Sequence, residues 1–351
     1  MKIKYVVGID ISKDKFDVAF VLSQLDKTPK VIASRKFDNS KKGHLEFKDW
    51  CLKKQKEDLP VEFVMEATGV YHEKLAWFLS DNEVPVSIVL PNRAKAYMKS
   101  LGIKTKNDKV DAKGLAFMGA CQSLAKWKPI SKAFYTLREL TRFLEDLQKD
   151  RTSMVSRLKG LKHKAIVSEK VMEGLKAVIE GLDEQIRICE QEIALAVAKD
   201  PELKKRIGHM MSIKGVGLLT AVTVAAETNG FALIENERQL VSYAGYDVRQ
   251  NQSGSREGKT SITKKGNAHI RRIMFMAAFN MVTYEQGQFK PFYERIHNRT
   301  KQSMKGYVAV QSKLLRIMYA LWKNETDFDN NYGLRDKSNQ SKNQLKTVVA
   351  A

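Results

Sequence analysis

The sequence predicts an α/β domain of ribonuclease H-like order, then a coiled-coil helical insert, then a mostly α-helical C-terminal domain with a helix-hairpin-helix-like element. Three observations predict this. Residues 1–125 alternate short apolar strand segments with helical ones in the order β-β-β-α-β-α-β-α. Leucines recur at heptad spacing over 135–198. A Gly-x-Gly turn opens an apolar helical run within a third segment, 205–325.

The elements follow in order. Residues 4–9 are an apolar run of strand length. Residues 15–22 set Phe16, Val18 and Phe20 against Lys15 and Asp17, which predicts a strand with a solvated face. Asp14, Asp17 and Glu62 are therefore expected on solvated surface. A third strand is expected over 30–37. Residues 43–57 place Leu45, Phe47, Trp50, Cys51 and Leu52 at helical spacing. Strands follow at 61–65 and 85–90, and helices at 71–80 and 94–99.

In the insert, Leu137, Leu140, Leu144 and Leu147 are continued by Met154, Leu158 and Leu161. A second series runs from Leu175 through Ile179, Leu182, Ile186 and Cys189 to Ile193. The break between them falls near 165–171. The pair either folds back as an antiparallel hairpin or joins another subunit, with Arg151 interrupting the seam in both cases. Beyond the insert, 311–322 reads as a helix, and the Ser-, Asn- and Lys-rich tail from about 332 reads as disordered. The expected domains are thus 1–130, 131–200 and 201–330, with a disordered tail at 331–351.

Composition bears on partners. The 351 residues carry 61 Lys and Arg against 40 Asp and Glu, a formal net charge of +21. Such an excess points to nucleic acid, because cationic side chains that neutralise phosphates release condensed counterions. Cys51, Cys121 and Cys189 lie far apart with no Cys-x-x-Cys pair, which disfavours structural zinc and suits a reducing compartment. No apolar run spans a membrane, and the N-terminus leads straight into a strand. A cytoplasmic location in contact with nucleic acid is expected.

Against this basic background stand four carboxylates at motif ends. Asp10 closes the first strand and Glu66 another. Asp108 and Asp111 lie three apart, on one face of a helix, with Asp108 itself a candidate N-cap. Carboxylates that converge repel unless a proton or cation joins them. Hard oxygen donors suit Mg2+, which activates a nucleophile and steadies the leaving oxygen in phosphodiester chemistry.

The motifs Gly8-Ile9-Asp10-Ile11-Ser12-Lys13, Glu66-Ala67-Thr68-Gly69-Val70-Tyr71 and Asp108-Lys109-Val110-Asp111-Ala112 resemble the N-terminal domain of DEDD-type insertion-sequence transposases. The resemblance extends from Tyr5 to about residue 320. It implies a RuvC-like catalytic domain, a coiled coil and a C-terminal transposase domain. It also implies site-specific DNA recombination guided by a bridge RNA, with double-stranded donor and target DNA as partners and a homo-oligomer, dimer to tetramer, as the working assembly. The four carboxylates would be the Mg2+ ligands.

The stretch from Ser242-Tyr243-Ala244-Gly245-Tyr246 through Gln252-Ser253-Gly254-Ser255 to Gly266-Asn267-Ala268-His269-Ile270-Arg271-Arg272 is similar to the family's C-terminal signature. There the serine of a Ser-Gly pair is the nucleophile, which falls on Ser253, with Ser255 as competitor. Val248 stands where family members usually carry proline. Read without the resemblance, Ser-Gly-Ser is a flexible loop. Nucleic-acid contacts are expected at Lys214, Gly215 and Gly217, where free backbone N–H groups open a helix, and at Lys264, Lys265, Arg271 and Arg272. Two alternatives share part of this pattern. A RuvC-like nuclease using water needs the carboxylates and no serine, and a non-catalytic nucleic-acid-binding assembly protein needs neither.

Overall fold

The computed structural model describes residues 3–24, 27–102, 107–249, 252–253, 256–257, 260–284 and 287–330. The tail expected to be disordered, 331–351, and the competitor Ser255 lie outside the described residues. Contacts divide the chain into two compact units, Met1–Pro129 and Ile130–Ala351.

The first unit runs β1 (Lys4–Ile11), β2 (Lys15–Ser23), β3 (Lys30–Asp38), α1 (Lys41–Lys54), β4 (Val61–Glu66), α2 (Glu73–Asp81), β5 (Val86–Val89), α3 (Pro91–Ser100) and α4 (Asp108–Cys121). The sheet order is β3-β2-β1-β4-β5. β2 pairs antiparallel with β1 and β3, while β1–β4 and β4–β5 are parallel. This is the ribonuclease H-like order, and the expected elements recur with ends moved by a few residues.

Both faces of this sheet are covered. Phe16, Val18 and Phe20 pack with Phe37, Phe47 of α1 and Leu75 of α2. On the other face Val6, Ala19 and Val64 pack on Ala112, Leu115 and Ala116 of α4. The expected solvated face of β2 is therefore corrected: α4 lies over it, and Asp17 is only 4% exposed. Asp14 is exposed as expected, and Glu62 is half-buried between Lys4 at 3.0 Å and Lys126 at 3.3 Å. Gly8 lets α4 approach, since a Cβ there would overlap Ala112 O and Ala116 N.

The second unit holds α5 (Lys132–Leu161), α6 (Glu169–Ala198), α7 (Pro201–Met211), α8 (Leu218–Thr228), α9 (Glu237–Ala244), four two-residue strands β6 (Val248–Arg249), β7 (Gln252–Ser253), β8 (Arg256–Glu257) and β9 (Ser261–Ile262), then α10 (Ala268–Thr283), α11 (Phe289–Thr300) and α12 (Ser303–Asn324). α5 and α6 pack as an antiparallel hairpin within the chain. Cys189 Sγ donates to Leu140 O at 3.3 Å, and Arg151 bridges to Asp183 across the seam. The base of the hairpin shares one core with the remaining helices, through Leu137, Leu144, Ile193 and Val197. Ser253, the one described residue of the Ser-Gly-Ser stretch, pairs its backbone within the β7–β8 ladder, and β6 pairs with β9.

Candidate active site

Three elements bring the four sequence-predicted carboxylates of the first unit to one end of the sheet. Asp10 is the penultimate residue of β1 and sits on the face that α4 covers, two residues beyond Gly8. Glu66 ends β4, one residue past Met65, the parallel partner of Ile9. Asp108 and Asp111 lie in the first turn of α4, where the positive end of the helix dipole favours anions. The cap of α4 is Asn107, whose side chain accepts from Val110 N at 2.9 Å, so Asp108 is not the cap.

Asp10 reports the crowding. Its carboxyl is pushed up to about 7, first by burial and then by the fields of Asp111, Asp108, Glu66 and Asp17. Asp17 is the cross-strand partner of Asp10, and Lys36 is the cross-strand partner of Asp17. Lys36 Nζ lies 2.9 Å from Asp17 Oδ2 and 3.7 Å from Asp108 Oδ2. Among the described residues, no three His, Cys, Asp or Glu side chains are drawn close enough to grip an ion by themselves. The gathering is one of charge, and its donors are the hard oxygens that suit a divalent cation, which would lower the cost of ionising Asp10.

In the second unit, Ser253 ends β7, and its backbone pairs with Arg256 of β8. Its side chain lies outside the described residues, as does Gly254. The neck of this ribbon is pinned. Asn267 N donates to Tyr243 O at 2.7 Å, and a Cβ on Gly266 would crowd Tyr243 O and Gly245 N. Gly245 takes φ +76°, which suits glycine.

The pin extends to a buried network that the sequence reading missed. Glu227, fully buried at the end of α8, receives Nε–H and Nη2–H of Arg142 at 2.7 and 2.9 Å and Nδ2–H of Asn267 at 2.6 Å. Arg138 donates to the carbonyls of Ala226 and Glu227, and Tyr243 Oη–H donates to Glu227 O at 2.7 Å. Burial alone would raise the Glu227 carboxyl, but the donors from Arg142 and Asn267 hold it below the usual carboxylate range. A lone glutamate closing the apolar run 218–226 was the available signal, with Arg138 and Arg142 four residues apart on α5.

The expected nucleic-acid residues divide. Lys214, Gly215 and Gly217 form the exposed turn between α7 and α8, with Gly215 at φ +102° and Gly217 capping α8. Lys264 and Lys265 are exposed. Arg271 instead donates to Ala244 O at 2.8 Å and Asn267 O at 3.2 Å. Arg272 pairs with Glu145 at 2.7 Å, and His269 Nδ1 meets the other oxygen of Glu145 at 2.6 Å.

Comparison with known proteins agrees across most of the chain. Residues 7–162 match the transposase family model of the DEDD IS110 type, and residues 208–294 match the transposase model of the IS116/IS110/IS902 family. The chain is 30% identical over 331 residues to a pilin gene-inverting protein of Moraxella lacunata, covering 93% of this chain and 98% of that one. It is 25% identical over 352 residues to the transposase for insertion sequence element IS1111A of Coxiella burnetii, covering 92% and 90%. Among solved structures it resembles Thermus thermophilus RuvC, with a TM-score of 0.28, 14% identity, and 35% of this chain and 99% of that one covered.

Proposed function

The chain belongs to the IS110 family of transposases and is a DNA transposase/recombinase; on that premise we propose that it cuts and rejoins DNA through a Mg2+-dependent centre of Asp10, Glu66, Asp108 and Asp111, with Ser253 as nucleophile and a bridge RNA as guide. The observation that supports it most is the field around Asp10, in which the carboxylates of Glu66, Asp108 and Asp111 all act on one half-buried acid. A bound divalent ion supplies charge neutralisation and polarisation of the scissile phosphate. The carboxylates would hold that charge at one end of the sheet, and the α4 N-terminus steadies two of them.

In the covalent step the Ser253 Oγ–P bond forms while one P–O ester bond of the DNA breaks, and the hydroxyl proton ends on the released sugar oxygen. The ester is retained, so the reverse attack by a new sugar hydroxyl rejoins strands without another energy source. The ribbon that carries Ser253 is pinned at its neck by Tyr243, Gly266 and Asn267, which limits where the serine is offered.

Exposed Lys214, Lys264 and Lys265 suit phosphate contacts, and the net charge of +21 suits two nucleic acids at once. Sequence choice then falls to base pairing with the guide. Among the described residues no helix is long and apolar enough to cross a membrane. The assembly for exchange is a dimer to tetramer. Sequencing the RNA that co-purifies with active protein tests the guide: one discrete species is expected, and activity in its absence contradicts the reading.

A further inference from the structure

Asn39, just after β3, lies outside every motif so far assigned, yet its carboxamide reaches the segments that follow both carboxylate-bearing strands. Nδ2 donates to Ser12 O at 3.1 Å, reaches Lys13 O at 3.5 Å, and donates to Tyr71 O at 3.1 Å. Ser12 is two residues beyond Asp10, and Tyr71 is five beyond Glu66. The backbone joins in, because Asn39 N donates to Asp14 O at 2.8 Å.

The orientation of the amide is fixed by its partners. Backbone carbonyls only accept, so Nδ2 faces them and Oδ1 faces His44 Nε2 at 2.9 Å, which makes that nitrogen the donor. The His44 ring is buried between Phe16 and Phe78, with centroids 5.9 and 5.4 Å away. α1 comes close enough for this because Gly43 has no Cβ to strike Asp38 O. A buried imidazole thus holds the amide, and the amide holds two loops.

We propose that Asn39 is a positioning residue for the carboxylate centre: by tying the turn after Asp10 to the loop after Glu66, it sets the spacing of those two carboxylates. The inference rests on the reading of Asp10 and Glu66 as cation ligands. Side chains that orient ligands from behind typically change metal affinity by about 10- to 100-fold when removed.

The test is a titration of the full chain with Mn2+ alone, followed by the electron paramagnetic resonance of free ion, beside thermal melting in metal-free buffer. Asn39→Ala is expected to bind Mn2+ about tenfold or more weakly. His44→Phe, which keeps a ring between Phe16 and Phe78 but removes the donor, is expected to weaken binding in the same direction. Ser40→Ala removes only the α1 cap, the Ser40 Oγ that accepts from Gly43 N at 3.2 Å; it should melt earlier yet bind like wild type. Asn39→Ala binding like wild type while Asp10→Asn has lost the ion overturns the inference, as does a Ser40→Ala loss equal to that of Asn39→Ala. Asp10→Asn binding like wild type overturns the centre itself, and the inference with it.

Discussion

Asp10 and Asp17 stand opposite each other on β1 and β2, two carboxylates side by side on the face that α4 covers. Lys36, next in the cross-strand row, neutralises Asp17 at 2.9 Å. Among the described residues no cationic side chain is paired with Asp10, whose carboxyl is pushed up to about 7. Of these two acids, it is Asp10 that an added cation would relieve.

The first prediction concerns stability against pH. An acid whose folded value is raised binds more protons folded than unfolded between about 4 and about 7, so wild-type stability falls as pH rises through that window and levels above it. Without divalent cation, Asp10→Asn should be more stable than wild type at pH 8, by roughly 1–3 kcal/mol after allowance for solvent screening, and equal to it near pH 4. Added Mg2+ should raise the melting temperature of wild type and leave Asp10→Asn unmoved. Melts at pH 4, 6 and 8 with and without Mg2+ check this.

Glu227 should be structurally irreplaceable by a small apolar residue. Glu227→Ala leaves Arg142 and Arg138 facing a buried gap and strips Asn267 of an acceptor, at a cost of about 3–5 kcal/mol in urea unfolding. The same change loosens the neck of the Ser253 ribbon, so recombination should fall further than the folded fraction does.

Glu145 gives a second, opposite pH signature. Burial raises its carboxyl, but hydrogen bonds from His269, Lys149 and Arg272 outweigh that and hold it at about 2. A depressed acid adds stability above its unfolded value and loses it as pH falls from about 4.5 toward 2. Glu145→Gln should therefore cost about 1–2 kcal/mol at pH 7, after allowance for solvent screening, and almost nothing near pH 2.

Gly8→Ala should separate α4 from the sheet. The new methyl would meet Ala112 O and Ala116 N, both helix backbone that has little freedom to yield. A loss of about 2 kcal/mol or more is expected, with faster amide exchange in α4 than in β3, read by mass spectrometry.

Much of this was legible because strands and helices announce their faces. Phe16, Val18 and Phe20 marked one buried face of β2, and the heptad leucines marked α5 and α6. Asp17 misled because alternation with Phe16 and Val18 implied solvent. The corrective signal lay in Ala19 and Val21, which make β2 apolar on both faces, as in a strand buried between two layers. Asn107 and Asp108 are equally good caps by type, and only backbone geometry chose between them. The Glu227 network ties Glu227 to Asn267, 40 positions on, and to Arg142, 85 positions back, separations at which spacing carries no signal. Heptads alone left the partner of α5 open, and contacts within the chain closed that question.

The proposed covalent link between Ser253 and DNA can be trapped, and trapping tests it most directly. Wild-type protein, incubated with any RNA that co-purifies with it, substrate DNA and Mg2+ and then denatured, should yield a protein–DNA adduct that digestion and mass spectrometry place on Ser253. Ser253→Ala and Asp10→Asn should both yield none. Strand cleavage by Ser253→Ala at the wild-type rate, with no adduct from either protein, would rule out the serine link and leave water as the nucleophile.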